Sequence, residues 1–402
     1  MKAYLLSVGD EVLSGKVINT NAAYLASELE KCGISTAKGI VVGDDISIIQ
    51  SIVYEFLASD ATLLISTGGL GPTHDDCTKE AICEALGLKL VFNERASQDL
   101  FHYFWTVKED CNAKQAYFPA NSHIITNPIG SADGVIIEHL DKTIILLVGP
   151  SIEMQTLFQR DVKPYLHGKS TPPLLQDYWV MGESESYFEN ILVPLLKDFP
   201  DVQCNPYAGL GIIRYRLMAE PIHEAKYLKA KSLFEAALAP YIISQNQETI
   251  EELIVKLLGE RHETVSCAES MTGGLIAQKL TSVPGASRVL HESYVVYSDA
   301  AKMKILGVSP QTLESYTAVS KEVAQEMAEG LYQVTKTPLT IAITGWAGPD
   351  GPAVGTGWIA IRYHEQRVLE AFHVHGNREM IRTKACNRLL YYAYVMMRKG
   401  VL

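Results

Sequence analysis

A chain of 402 residues exceeds what one ordinary hydrophobic core supports, so two or three domains are expected. Its 47% hydrophobic and 20% charged residues suit a globular protein. The net charge of −11 argues against a nucleic-acid surface as the main feature, while leaving room for a local basic pocket that takes a phosphorylated small molecule. The seven cysteines (Cys32, Cys77, Cys83, Cys111, Cys204, Cys267 and Cys386) form no C-x-x-C pair, which weighs against a metal knuckle and suits a reducing, cytoplasmic setting. No apolar run reaches the length of a membrane span, so no membrane partner is expected.

In chain order, residues 3–8 read as a first strand rather than a signal peptide and run into Gly9-Asp10-Glu11. Thr20 can cap a helix with Ala22, Leu25, Ala26 and Leu29 on its apolar side and Gly33 as its stop. A second strand is expected over 36–42. A helix then buries Ile49, Ile52, Val53 and Phe56, and 61–66 is a third, buried strand. It opens into Thr67-Gly68-Gly69-Leu70-Gly71-Pro72-Thr73-His74-Asp75-Asp76, followed by a helix to Leu86 that stops at Gly87. Strands alternating with helices predict a mostly parallel, doubly wound α/β sheet, whose ligands bind beyond the carboxyl ends of the strands. The 67–76 loop sits at such an end. Gly68, Gly69 and Gly71 allow close backbone approach to a phosphate. Asp75 and Asp76 are hard oxygen ligands for a divalent cation bridging phosphates. The alternative is a glycine-rich turn whose aspartates cap the next helix.

Residues 168–173, rich in proline and polar groups, read as a linker. Strands over 176–181 and 211–219, with helices through Phe188, Ile191, Leu192 and Leu195 and over 223–238, predict a small α+β domain. It shows no Gly-x-x-Gly loop, so a spacer role is expected rather than RNA binding. Thr249-Ile250-Glu251-Glu252 is a capping box that opens a helix to Leu258 and a further domain. There 263–268 is a buried strand and 273–282 a helix, which puts Ser270 on a strand-to-helix turn with Thr272, Gly273 and Gly274. A hydroxyl so placed can attack a carbonyl while the amides of 272–274 hold the developing oxyanion. Alternatively Ser270 and Thr272 only cap the helix, the commoner role for such residues.

An apolar strand over 288–297 leads to a second strand-to-helix turn, Tyr297-Ser298-Asp299-Ala300-Ala301-Lys302, and a helix to Leu306. Lys302 is the candidate base, because partial desolvation lowers a lysine pKa toward neutrality; otherwise it is a solvated helix residue. Tyr297 could steady a proton or simply end its strand. Ser320 caps a helix with Val323, Met327, Leu331 and Val334 on one side. The strand 339–343 opens into Thr344-Gly345-Trp346-Ala347-Gly348-Pro349-Asp350-Gly351. Strands over 357–363 and 368–374 precede a last helix from about Asn377. Arg378 and Arg382, four apart, share a side and suit a phosphate, or are ordinary surface charge.

Several of these motifs also carry a resemblance. Gly9-Asp10-Glu11 with Ser14-Gly15, Asn19-Thr20-Asn21, the 67–76 loop, Lys114-Gln115-Ala116 with Pro119, and Asn127-Pro128-Ile129-Gly130 resemble the N-terminal domain of the competence/damage-inducible protein A (CinA) family. That domain is similar to molybdopterin-binding domains of the MoaB/MogA type. Ala268-Glu269-Ser270 with Thr272-Gly273-Gly274, Val296-Tyr297-Ser298 with Lys302, Ala318-Val319-Ser320, and Ile343-Thr344-Gly345 with Ala347-Gly348-Pro349-Asp350-Gly351 resemble the family's C-terminal domain. The resemblance spans essentially the whole chain. It implies an α/β fold with a doubly wound MoaB/MogA-like domain over 1–168, a small KH-like α+β domain over 169–246 and an α/β CinA amidase domain over 247–402.

For the C-terminal domain the resemblance implies a nicotinamide-nucleotide amidase. It would convert nicotinamide mononucleotide (NMN) to nicotinate mononucleotide and ammonia without a cofactor, in pyridine nucleotide recycling. Ser270 maps to the nucleophile, Lys302 to its base and Tyr297 to an assisting hydroxyl. Thr272, Gly273, Gly274, Thr344, Gly345, Arg378 and Arg382 would surround the substrate. For the N-terminal domain it implies hydrolysis of ADP-ribose with Mg, Mn or Co at Asp75 and Asp76, and Asn21, Gly68, Gly69, Gly71 and Thr73 about the ligand. The expected partners are these small nucleotides and a second copy in a homodimer, with no direct nucleic acid. The competing expectation is a non-catalytic protein that binds a pterin or nucleotide and acts as an interaction partner in competence. Four places depart from the family pattern: Lys114 for a usual asparagine, Val148-Gly149-Pro150-Ser151-Ile152-Glu153-Met154 for a Pro-Gly-Val-Pro turn, Met271 for a usual cysteine, and a short loop between Gly351 and Val354-Gly355.

Overall fold

The computed structural model describes residues 1–104 and 110–399, so the last three residues of the expected third domain lie outside it, as does the side chain of Cys111. The chain divides into two compact units, 1–173 with 220–222, and 174–219 with 223–402. The first holds strands Lys2–Val8 (β1), Ser35–Val42 (β2), Leu63–Thr67 (β3), Leu90–Phe92 (β4), Tyr117–Pro119 (β5), His123–Ile125 (β6), Gly134–His139 (β7) and Lys142–Leu147 (β8). Six of them form one sheet in the order β2-β1-β3-β8-β7-β6. Pairing is parallel from β2 through β8 and antiparallel at β7 and β6. The strands β3 and β8 are buried along their whole length, as central strands between helical layers must be. The helix Ile46–Ala58 turns Ile49, Val53 and Phe56 inward, the stripe read from its 3.6-residue period.

Two local expectations change. The helix Thr20–Lys31 is capped by Asn19 rather than Thr20, its side chain accepting the Ala22 N–H at 3.1 Å. The 168–173 stretch is no free linker: Ser170 Oγ donates to the Cys32 carbonyl, and Gly33 (φ 77) admits the Thr171 carbonyl where a Cβ would lie 2.1 Å from it.

The second unit carries two sheets. Leu174–Val180 (β9), Gln203–Ala208 (β10), Ile213–Ala219 (β11) and Ile242–Ser244 (β12) pair antiparallel in the order β10-β11-β9-β12. The edge strand β10 was not among the expected strands; it contains Pro206 and no buried residue, so no alternation marks it. Val265–Glu269 (β13), Leu290–Val295 (β14), Leu339–Gly345 (β15), Thr356–Tyr363 (β16) and Gln366–His373 (β17) form the other sheet, in the order β14-β13-β15-β16-β17. The first three run parallel; β16 and β17 are antiparallel. Thr249 and Glu252 form the capping box read from the sequence, with bonds of 2.7 and 3.3 Å. The helix Lys321–Thr335 buries Val323, Met327 and Leu331 but leaves Val334 49% exposed. At Gly330 that helix lets the Leu306 carbonyl approach so closely that a Cβ would sit 1.9 Å from it. This seats the helix Asp299–Leu306, which carries Lys302. Among the described residues no helix is long and apolar enough to cross a membrane.

Candidate active site

Because β13, β14 and β15 are parallel, the loops after them emerge at one edge of the sheet. Ser270 follows β13, Tyr297 and the helix of Lys302 follow β14, and Thr344 and Gly345 end β15. A cavity of about 430 Å³ opens there, with Ser270, Lys302, Tyr297, Trp346, Asp350 and Arg378 among its lining residues.

Ser270 Oγ and Lys302 Nζ are 3.3 Å apart. Lys302 is only 1% exposed, and its amine also reaches the Tyr297 carbonyl at 3.4 Å and the Asp299 carboxylate at 3.8 Å. Burial holds its pKa below the ordinary lysine value, while Asp299 pulls it the other way. An amine biased toward neutrality beside a hydroxyl is what a general base requires.

The turn that presents Ser270 is tied on every side. The Ser270 N–H donates to the Ile343 carbonyl at 3.1 Å, and the Val296 N–H donates to the Glu269 carbonyl at 2.8 Å. Gly273 (φ 60) and Gly274 (φ 94) take left-handed backbone that swings the chain into the helix Leu275–Thr281, shorter than the expected 273–282. Neither Ser270 nor Thr272 caps that helix. The fully buried Glu269 carboxylate does so instead, accepting the N–H groups of Gly274, Ile276 and Ala277 at 3.0, 3.1 and 2.9 Å. Two of the three expected oxyanion donors are engaged elsewhere: the Gly274 amide is held by Glu269, and the Gly273 amide donates to the Ser270 carbonyl at 3.2 Å. The Thr272 hydroxyl is buried with no partner among the described residues.

Other expected residues fall into place unevenly. Thr344 Oγ1 donates to the Ala318 carbonyl at 2.7 Å, which joins two separate sequence motifs at one wall. Gly345 leaves room for Met271, whose Sδ would lie 2.3 Å from a Cβ there. The two arginines part company. Arg378 lines the cavity and donates to the Gly348 carbonyl and, at 3.2 Å, to the Tyr297 hydroxyl. Arg382 instead donates to the Thr272 carbonyl and is absent from the lining, as are Thr272, Gly273 and Gly274. Tyr297 is 62% exposed, and its carbonyl accepts from Lys302 while its hydroxyl accepts from Arg378. Trp346 and Asp350 belong to the 344–351 loop expected beside the ribose and phosphate, and both line the cavity, whereas Glu269 and Asp299 have no role in the sequence reading. The available signal was a carboxylate placed just before a helix start for Glu269, and one three residues before the lysine for Asp299.

The first unit has its own cavity of about 410 Å³, lined by Asn21, Gly68, Gly69, Gly71, Asp75 and Asp76 among others. Thr73 stands outside that lining and shapes the loop: its N–H (2.9 Å) and hydroxyl donate to Asp76 Oδ2. Lys114 Nζ donates to the carbonyls of Thr73 and Asp76, so the lysine in the asparagine position pins the loop. The helix Thr78–Leu86 has no side-chain cap, so the aspartates do not serve as one. Asn21 bridges the altered 148–154 turn, donating to the Gly149 carbonyl at 2.7 Å and accepting from Ser151 Oγ at 2.6 Å. Asp44, also in the lining, has its pKa raised by burial and by the nearby carboxylates of Asp10, Asp75 and Glu11, against the lowering bond from the Asp10 N–H. Among the described residues no three His, Cys, Asp or Glu side chains converge as a metal cage. Asp75 and Asp76 stand in the lining as hard oxygen donors.

Each unit is thus an α/β structure with a ligand-sized cavity where parallel strands end. Residues 247–397 match the CinA C-terminal domain, and residues 4–168 match a probable molybdopterin binding domain. A competence-damage inducible protein of Caldanaerobacter subterraneus subsp. tengcongensis is 37% identical over 414 residues, covering 99% of this chain and 98% of its own. Its counterpart in Acetivibrio thermocellus is 36% identical over 414 residues, covering 100% and 99%. The crystal structure of a competence-damaged protein (CinA) superfamily protein from Escherichia coli is similar over 38% of this chain and 92% of its own, at 34% identity and a TM-score of 0.36. The chain belongs to the CinA family of competence-damage inducible proteins, with a MoaB/MogA-like N-terminal domain and a CinA C-terminal domain.

A buried amine kept for chemistry should cost stability. Lys302→Met keeps the length of the side chain and removes the desolvated charge. It is expected to unfold at the same temperature or higher, by about 2–4 °C for each kcal/mol regained in a unit of this size. A drop of several degrees in calorimetry would mark the amine as structural.

Proposed function

We propose that the C-terminal site deamidates NMN to nicotinate mononucleotide and ammonia. The observation that carries this reading is the 3.3 Å contact between Ser270 Oγ and the buried amine of Lys302, inside a cavity of about 430 Å³. Neutral Lys302 takes the hydroxyl proton as Ser270 Oγ attacks the carboxamide carbon. The tetrahedral intermediate collapses as Lys302 returns that proton to the leaving nitrogen, and ammonia departs. Water, deprotonated by the same amine, then hydrolyses the ester and frees Ser270. With the amides of Gly273 and Gly274 engaged, the oxyanion falls to other donors of the cavity wall. Arg378 is the arginine on that wall and suits the 5′-phosphate.

Ser270→Ala is expected to lower ammonia release from NMN by at least about 10³-fold with the chain still folded; undiminished release would refute the nucleophile. Asp299 raises the Lys302 pKa, so Asp299→Asn lets burial lower it further. Activity rises with pH as Lys302 loses its proton. The acid limb of the kcat/KM profile is therefore expected to move to lower pH in this variant, and a move to higher pH would contradict the assignment of Lys302 as base.

A second reading rests on the first cavity, where Gly68, Gly69 and Gly71 stand with Asp75 and Asp76 around a space of about 410 Å³. This suits a diphosphate, and we take ADP-ribose as the substrate. A divalent cation held by Asp75, Asp76 and the phosphates would neutralise charge as the diphosphate splits. Lys114 and Asn21 keep the two facing loops in register. The full-length Ser270→Ala chain is expected to release AMP and ribose 5-phosphate from ADP-ribose with Mg, Mn or Co and to stop with a chelator. No product with any of the three metals would sink this reading.

A further inference from the structure

We propose that Glu269, assisted by Arg382, is the positioning residue of the nucleophile: its buried carboxylate takes the helix-start amides that would otherwise capture the Ser270 hydroxyl. The proposal rests on the serine–lysine reading above.

A hydroxyl at the start of a helix is ordinarily a cap, because the first amides of a helix have no partner within it and a serine oxygen can accept from them. Ser270 lies five residues before Leu275, joined to it by a turn with two left-handed glycines, and is one residue nearer the helix in sequence than Glu269, whose carboxylate reaches those amides. Were Ser270 to cap, Oγ would accept an amide hydrogen and turn away from Lys302. Glu269 removes that competitor. Its two oxygens take three amides, Gly274 and Ile276 on Oε2 and Ala277 on Oε1. Charge-assisted bonds of this kind are about twice as strong as neutral ones, so a serine hydroxyl does not displace them. Among the described residues the side-chain partner of Ser270 Oγ is then Lys302.

The choice of residue is itself informative. A carboxylate with no exposed surface is costly to bury unless its oxygens are satisfied, and a helix of seven residues gives little back in its own stability. A neutral side chain would cap this helix at less cost, but with one acceptor atom it would leave amides for Ser270. At the other end of the turn Arg382 donates to the Thr272 carbonyl, and the Ser270 N–H is fixed on Ile343 at 3.1 Å. The turn is held by its acceptors on one side and by its donors on the other, with Oγ left for the amine.

The test compares wild type, Ser270→Ala, Glu269→Gln and Arg382→Lys by ammonia release from NMN and by the rate at which a fluorophosphonate labels Ser270. Gln keeps the shape but offers one acceptor oxygen and one NH2, which frees at least one amide. Glu269→Gln is expected to lower kcat and the labelling rate together by about 10–100-fold, with KM within about twofold of wild type and the acid limb of the pH profile unmoved. Wild-type kcat and labelling in a Glu269→Gln chain that merely melts earlier would overturn the proposal, and so would a shifted acid limb with unchanged labelling. If Glu269→Gln does not fold, Arg382→Lys decides: a several-fold fall in kcat and labelling at unchanged KM supports the clamp, and unchanged values overturn it. Labelling needs no amide substrate. A wild type that labels at Ser270 but releases no ammonia defeats the amidase reading alone, whereas a wild type that does not label defeats this one.

Discussion

The site depends on one desolvated amine held against one hydroxyl. Lys302 is buried, its pKa is depressed, and the contact with Ser270 spans the ends of two neighbouring parallel strands. Nothing local to either residue brings this about. The lysine is placed by the helix Asp299–Leu306, whose start is capped by Ser298 accepting the Ala301 N–H at 3.2 Å and whose end is seated against Gly330. The serine is placed by a turn anchored to β14 and β15 through Val296 and Ile343. Parallel pairing aligns the two, since only parallel strands deliver both loops to one edge of the sheet.

Much of the fold was legible because it is written in local patterns. Alternating apolar runs and 3.6-residue stripes gave the doubly wound sheet, and Thr249 with Glu252 gave the capping box that the structure forms. What escaped was decided by competition between groups distant in sequence or by the lack of a pattern. The edge strand β10, with Pro206 and no buried residue, has no stripe to read. Asn19 and Thr20 are both good caps, and only the path of the chain chooses between them. Ser270 and Thr272 looked like caps until a third candidate, Glu269, proved to hold the amides. Arg378 and Arg382 share a helix side, yet one meets the cavity and the other a backbone carbonyl. Family motifs brought Ser270, Tyr297 and Lys302 together on paper; all three line one cavity, where the Tyr297 hydroxyl accepts from Arg378 and its carbonyl meets Lys302.

Three of the four places where the chain departs from the pattern expected of its family are met by local contacts. Lys114 bonds the two carbonyls of the glycine loop, Ser151 completes the bridge to Asn21, and Met271 packs where Gly345 leaves space. Each of these three meets a partner in or beside its cavity wall. The two cavities nonetheless differ in kind. The first is built of glycine backbone and carboxylates, whereas the second sets a hydroxyl against a buried amine.

The most direct measurement of the central claim is turnover of NMN in the presence of hydroxylamine. An ester on Ser270 would be intercepted, giving the hydroxamate of nicotinate mononucleotide alongside nicotinate mononucleotide itself, and Ser270→Ala would give neither. Ammonia released with no hydroxamate, or hydroxamate still formed by the Ser270→Ala chain, would contradict a serine nucleophile served by Lys302.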